Sequence, residues 1–379
     1  MNGIPAAKKL VIVDSTLRDG AQAPGVVMSY PQRAEIAELL IEIGINEIEA
    51  GIPAMGGQEI KFLSFLNTVH SQNHIIGWCR ATDSDLNDAK RARCRNVHIA
   101  FPVSDIQLKA MDKDRHWLFN TLERIVGIAR KKFEFVSVGA MDASRSDTGV
   151  LRHFCKTAAL VCVDRIRIAD TVGILTPSKT IQLFSSIAEV VDLAKVEFHG
   201  HNDLGMATAN AFCAAEIGVG AISVTVNGIG ERAGNTALEE IAVAVKTNKI
   251  PMQPLKLSKI QELCDRVSLL TNSTISDSKP ITGKSVFLHE SGIHWNALLK
   301  NKHAFEAFPP SITGHARSVP VAGTHSGGAT VRAILGKNRM KISDTDSRRV
   351  AASIRKKVHR IGRVLTTREV ENLCERHLS

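Results

Sequence analysis

His199 and His201 stand two residues apart in Phe198-His199-Gly200-His201-Asn202-Asp203, directly after the apolar run Val196 to Phe198. On a strand that spacing puts both imidazoles on one face, so they converge on a single point, as a metal site requires. A helix start follows in Gly205-Met206-Ala207-Thr208-Ala209-Asn210. The pair is therefore expected at the C-terminal end of a strand, where parallel α/β proteins carry their chemistry. Asp19, within Thr16-Leu17-Arg18-Asp19-Gly20, supplies a carboxylate. Asp19, His199 and His201 make a set of three ligands, which leaves positions open for substrate and water. Mixed oxygen and nitrogen donors do not choose among Mg, Mn, Zn and Co. Such a centre can chelate a 2-oxo acid through its carboxylate and keto oxygens, and Arg18 beside it can stabilise a developing alkoxide or enolate. Asn235 has two readings: a contact to the metal or its water, or the N-cap of the helix after the eighth strand.

The elements that position these residues recur along the chain. Short β-rich runs lie at Leu10 to Leu17, Glu47 to Ile52, Ile75 to Cys79, Val97 to Phe101, Phe135 to Gly139, Arg165 to Ala169, Val196 to His201 and Ala221 to Val226. Helical patterns separate them, such as Pro31 to Ile43 with Gly44 as its stop, and Pro177 to Leu193 with Thr176 as N-cap. Eight strand–helix units in about 250 residues point to an α/β fold, a (β/α)8 TIM barrel, more readily than to an open sheet. Polar residues gather where the runs end: Arg18, Asp19 and Gln22; Trp78 and Arg80; Asp142 and Arg145; Asp170 and Thr171; the histidines; and Asn227 to Asn235. One rim carrying a carboxylate, imidazoles, an amide and arginines reads as an active site. The expected division is a barrel over 1–270 and a smaller, mostly helical lid region over 271–379.

Composition narrows the class. The 379 residues are 44% hydrophobic, as in soluble globular proteins, and no apolar run approaches the ~20 residues of a membrane span. Met1 to Leu10 lacks the apolar core of a signal peptide. The seven cysteines are odd in number and scattered, which points to a reducing compartment, the cytoplasm. Of the net charge of +10, Val331 to Ser379 holds 13 Lys/Arg against 5 Asp/Glu, a net of +8. Val350, Ile354, Val358 and Ile361 alternate with those cations at helical spacing, so the tail reads as solvated amphipathic helices rather than a nucleic-acid surface.

The Thr16 to Gly20, His199 to Asp203 and Asn227 to Asn235 elements, with His289-Glu290-Ser291-Gly292-Ile293-His294, together resemble the 2-isopropylmalate synthase/homocitrate synthase family. Gly51-Ile52-Pro53-Ala54-Met55-Gly56, Trp78-Cys79-Arg80 and Pro102-Val103-Ser104-Asp105 are most similar to its nitrogen-fixation type of homocitrate synthase. The resemblance implies condensation of acetyl-CoA with 2-oxoglutarate and thioester hydrolysis to homocitrate and CoA, on a TIM barrel whose helical lid crosses to the partner of a homodimer. It implies a divalent metal on Asp19, His199 and His201. It places Arg18 and Gln22 at the oxo acid, Arg145 and Thr171 at its carboxylates, and His294 as the base that takes the acetyl methyl proton; a neutral imidazole suits that task near pH 7. His289 is expected to make a structural hydrogen bond.

The chain departs from the family pattern at three places. Ala21 stands where an acidic residue usual follows Arg-Asp-Gly, and Trp78 where lysine-pathway homocitrate synthases tend to carry a histidine for the distal carboxylate. Thr324, in Gly323-Thr324-His325-Ser326-Gly327, replaces a usual lysine. A C-terminal regulatory domain of the isopropylmalate synthase kind is not expected, nor is leucine feedback. The competing readings are a related enzyme acting on 2-oxoisovalerate or pyruvate, a lyase running the reverse cleavage, and a non-catalytic binding protein with a basic tail. The intact Asp19, His199 and His201 argue against the last.

Overall fold

The computed structural model describes residues 9–315, 318–336 and 342–378; residues 1–8, within the segment expected to lack a signal peptide, lie outside the described part. Eight parallel strands close in chain order into a barrel. They are β1 (Val11–Asp14), β2 (Glu47–Gly51), β3 (His74–Arg80), β4 (Asn96–Pro102), β5 (Phe135–Met141), β6 (Arg165–Asp170), β7 (Val196–Gly200) and β8 (Ala221–Val224). β1 closes the ring on β8, with Val11 to Asp14 opposite Ala221 to Val224. Around it run α1 (Tyr30–Ile43), α2 (Gly57–Val69), α3 (Asp83–Arg91), α4 (Asp105–Ala110), α5 (Arg115–Ala129), α6 (Thr148–Leu160), α7 (Pro177–Ala188), α8 (Ala207–Glu216), α9 (Leu238–Thr247) and α10 (Ile260–Leu270). The TIM barrel read from eight periodic runs is the fold.

Strand ends differ from the sequence reading for local reasons that build the rim. β1 stops at Asp14, not Leu17, because the N–H groups of Arg18, Asp19 and Gly20 all turn back onto the Ser15 carbonyl. That tight turn lifts Arg18 and Asp19 onto the C-terminal face. β8 stops at Val224 because the Val226 N–H leaves the ladder to donate to Thr16 Oγ1 at 2.9 Å. Asn202 Oδ1 accepts from the Ala207 N–H, so α8 begins two residues beyond Gly205. Thr176 caps α7 as expected, but the helix ends at Ala188, and Asp192 starts a separate 3-10 turn over Leu193–Lys195. α1 carries a capping box at Ser29 and ends on Gly44 at φ 100°, where a Cβ would lie 2.6 Å from the Pro254 carbonyl.

The strands sort their side chains by alternation. On β6, Ile166 and Ile168 are buried, while Arg165 and Arg167 pair with carboxylates on β2 and β7. β2 and β6 stand on opposite sides of the ring, so those pairs cross the barrel interior. The lumen is thus polar over much of its height, and the apolar core lies mainly between strands and helices.

The chain forms two compact units, the first ending at Thr274 and the second beginning at Ile275. The second holds a two-stranded parallel sheet, β9 (Leu288–His289) with β10 (Val319–Pro320), and α11 (Gly292–Leu298), α12 (Gly328–Gly336), α13 (Asp344–Ile361) and α14 (Thr367–Leu378). Val331, Ile334, Leu335, Val350, Ile354, Val358, Leu365, Val370 and Cys374 form its core, with Ile361 packed against it. Most of the described part of the basic tail is therefore helix, and α13 turns its apolar stripe inward as the spacing indicated. No described helix is long and apolar enough to cross a membrane.

Asp14 gives the fold a pH dependence. It is fully buried and accepts from the Thr16 N–H at 2.8 Å and from Thr16 Oγ1 at 3.0 Å. Burial, opposed by the Thr16 bonds and reinforced by Glu239, raises its pKa from 3.8 to about 7. Between those values the folded chain holds a proton that the unfolded chain releases, so stability falls as pH rises through the window. Urea melts from pH 4 to 7.5 should show a loss of at most about 4 kcal/mol that is missing in Asp14→Asn. Parallel curves for the two proteins would refute it.

Candidate active site

A chain of alternating charges runs up the barrel lumen to the rim. Arg165 bonds Glu47 at 2.5 Å and lies 3.6 Å from Glu197. Arg167 donates from Nε to Glu197 at 2.6 Å, and its Nη1 lies 2.8 Å from Glu49. Glu49 takes Arg18 Nε at 2.5 Å and Ser15 Oγ at 3.1 Å. Arg18 Nη1 in turn lies 3.5 Å from Asp19 Oδ2. Burial by itself would raise Glu49 and Asp19, yet Arg167 and Arg18 hold Glu49, and Arg18 with the two histidines holds Asp19, below the usual carboxylate range. Both are anions at neutral pH.

Asp19, His199 and His201 meet at the top of this column. Their ligand atoms lie within 4.8 Å of one another, and all three residues are buried. Asp19 Oδ2 is 3.0 Å from His199 Nε2 and 3.8 Å from His201 Nε2, and the two Nε2 atoms face each other at 3.2 Å. His199 Nδ1 lies 2.9 Å from Ser223 Oγ, its register partner on β8. Donation from Nδ1–H to Ser223 leaves a lone pair on Nε2. Burial, then His199, pushes the His201 pKa down to about 3, so its ring is neutral. Asp19 Oδ2 is buried without a well-formed hydrogen bond. An anionic oxygen and two imidazole nitrogens that share a few ångströms need a cation among them, and this donor set fits a divalent metal.

Beside the triad lies a cavity of about 190 Å³. Arg18, Gln22 and Thr171, expected from sequence to bind substrate, line it with the metal donors. Arg18 also reaches Gln22 Oε1 at 3.5 Å, and its guanidinium lies 5.8 Å from the Trp78 ring centroid. Thr171 Oγ1 accepts from the Asp142 N–H at 2.8 Å. Arg145 is not part of the lining: Asp142 holds its Nε. Arg80 is likewise turned to Asp85 through Nε and Nη2. Asn235 does not cap α9, whose N-cap is Ala237. It bridges to His201 through the backbone, and its Oδ1 is buried without a partner.

Sequence reading missed His98 and Arg167, which line the same cavity; Arg232, within the expected Asn227 to Asn235 rim element, lines it too. Arg232 bonds Asp203 and the Thr171 carbonyl. For His98 and Arg167 a signal existed: each is a polar residue at an inward position of an otherwise apolar strand run. In the second unit, His294 on α11 stacks on Phe305 at 4.0 Å and lies 5.7 Å from His289. His289 Nε2 is buried without a partner, while its carbonyl accepts from Trp295 Nε1 at 2.8 Å. Glu290 accepts from Thr324 Oγ1 and the His325 N–H, both at 3.0 Å, so Thr324 closes a turn there.

Residues 9–267 match the family described as HMGL-like, and residues 281–361 match the homocitrate synthase post-HMGL domain-like family. The chain belongs to the HMGL-like family. It is 37% identical over 369 residues to 2-isopropylmalate synthase 2 of Caldanaerobacter subterraneus subsp. tengcongensis, covering 97% of this chain and 96% of that protein. It is 35% identical to homocitrate synthase 1 of a Nostoc species, covering 97% of each. It is 37% identical to 2-phosphonomethylmalate synthase of Streptomyces rubellomurinus, covering 85% and 86%. Among solved structures, the HMG-CoA lyase of Bacillus subtilis shares the fold at a TM-score of 0.64 and 15% identity, over 72% of this chain and 97% of that one.

In this HMGL-like barrel Ser223 sets the orientation of His199, so it should tune metal affinity without touching the ion. Ser223→Ala is expected to weaken Mn²⁺ binding by roughly 10- to 100-fold, read by calorimetry on metal-stripped protein. An unchanged dissociation constant would show that the ring is held by other means.

Proposed function

We propose that the protein condenses acetyl-CoA with a 2-oxo acid, preferentially 2-oxoglutarate, and hydrolyses the thioester to release homocitrate and CoA. The observation that carries this reading is the convergence of Asp19, His199 and His201 beside Arg18 in the lining of one small cavity. A divalent ion held there would supply Lewis acidity to the keto group. Arg18, anchored through Nε by Glu49, stabilises the oxygen that gains charge as the acetyl methyl carbon bonds the keto carbon. Gln22 and Thr171 orient the oxo acid. His294 is assigned the proton at the acetyl methyl, and the active form is a homodimer with exchanged lids. The nitrogen-fixation type of homocitrate synthase is the finer assignment.

A second reading has a specific observation behind it. Ala100, Gly139, Met141 and Ala169 give the cavity small or apolar walls, which also suit the branched side chain of 2-oxoisovalerate, and a relative named 2-isopropylmalate synthase spans nearly the whole chain. The arginines in the lining, Arg18, Arg167 and Arg232, favour the dicarboxylate.

CoA release measured over a panel of 2-oxo acids separates the two. The expected result is a higher kcat/KM for 2-oxoglutarate than for 2-oxoisovalerate, abolished by EDTA and restored by a divalent cation. Preference for 2-oxoisovalerate would select the second reading, and full activity in metal-free protein would remove the metal from both.

His294→Ala should lower turnover by roughly 10²-fold or more, with 2-oxoglutarate binding intact by calorimetry. Mixed with Asp19→Ala chains under subunit exchange, it should recover part of the activity, since one site of each hybrid then keeps both residues. A mixture that exchanges subunits and stays inactive would place the base elsewhere.

A further inference from the structure

The floor of the cavity contains two groups without a task in the reaction as proposed. His98 on β4 is buried and faces the lumen, in register with Trp78 on β3 and Ser137 on β5. Its Nδ1 lies 2.7 Å from Ser137 Oγ, which fixes the ring. Nε2 takes no part in that bond and stands over Gly139, where a Cβ would lie 2.5 Å away. Only glycine at 139 leaves the ring this place. Burial, then Arg167, keeps the imidazole well below its ordinary pKa, hence neutral. When Ser137 Oγ–H donates to Nδ1, Nε2–H becomes a donor into the cavity. Arg167, two strands along on β6, has Nε committed to Glu197 and Nη1 to Glu49, while Nη2 belongs to neither pair. Arg80 and Arg145 are held by their own aspartates outside the lining.

We propose that His98 and Arg167 recognise the distal carboxylate of the 2-oxo acid, His98 through Nε2–H and Arg167 through its remaining guanidinium N–H groups. This rests on the condensing-enzyme reading and names its specificity determinant. Trp78 offers one uncharged indole N–H and no cation; His98, in register with it on the next strand, adds an N–H that acts beside the Arg167 charge. A substrate with an apolar end would leave two buried donors without acceptors, which is how sites built for a polar group reject analogues that lack it.

The test is the ratio of kcat/KM for 2-oxoglutarate over that for 2-oxobutyrate, which has no distal carboxylate. In His98→Leu the ratio should fall by roughly 10- to 100-fold, the span carried by a hydrogen bond to a charged group, through a raised KM for 2-oxoglutarate. His98→Gln, whose amide reaches the Nε2 position, should recover part of the ratio, whereas His98→Asn, which reaches only toward Ser137, should not. Should the Leu variant fail to fold, judged by its melting curve, the Gln and Asn pair decides. An active wild type whose ratio survives these substitutions overturns the assignment alone. A wild type that turns over no 2-oxo acid removes the condensing-enzyme reading and this assignment with it.

Discussion

Seven charges sharing the inside of one barrel are the constraint on which the rest of this structure depends. Removing a carboxylate or guanidinium from water costs several kcal/mol per ion unless opposite charge and hydrogen bonds replace the solvent. The lumen meets that demand by strict alternation: Glu47, Arg165, Glu197, Arg167, Glu49, Arg18 and Asp19, each next to its opposite. The residues come from β2, β6, β7 and the turn after β1, so the pairs brace the ring across its diameter. The chain orders Arg18 and Asp19 by the same bonds that make the interior tolerable. The rim geometry is thus inherited from the interior.

This dependence explains what a single sequence revealed. Runs such as Val97 to Phe101 and Val196 to Phe198 carry their burial in their composition, and eight of them fixed the barrel. Asp19, His199 and His201 were legible because metal donors at strand ends are unusual residue types in a patterned place. The floor left a signal in the residue types but none in the pairing. Arg167 and His98 each look like an interruption in an apolar strand, and nothing in the chain says that Arg167 meets Glu49, 118 residues away in sequence. Conversely, the resemblance placed Arg145 at a substrate carboxylate, and Arg80 read as a basic group on the rim. The sequence could not show that Asp85 and Asp142 already hold them. Asn235 failed as a cap because the helix begins later, at Leu238.

The second unit illustrates a different limit. Its basic surface overstated any role for charge, because Val350, Ile354 and Val358 give α13 an apolar stripe and the cations occupy the other faces. Thr324 shows how a departure from a family pattern can still be built in: its hydroxyl bonds Glu290, next to His289 in the element that carries His294.

The charge column also constrains what the site takes up. Its four carboxylates and three guanidiniums sum to −1. A divalent ion beside Asp19 raises that to +1, an excess of buried positive charge that an anionic ligand must answer. A monocarboxylic oxo acid brings the total to zero. A dianion such as 2-oxoglutarate, bound together with the ion, adds no net charge and leaves the column at the −1 it already holds. Where the charges sit then decides between them, because a buried donor left without an acceptor costs free energy even when the total balances. On the proposed assignment, His98 and Arg167 present donors in the cavity that the metal donors also line, and a second carboxylate is the group that satisfies both sets at once. On that assignment substrate choice draws on the same interior that supports the barrel, because Arg167 belongs both to the cavity lining and to the charge column.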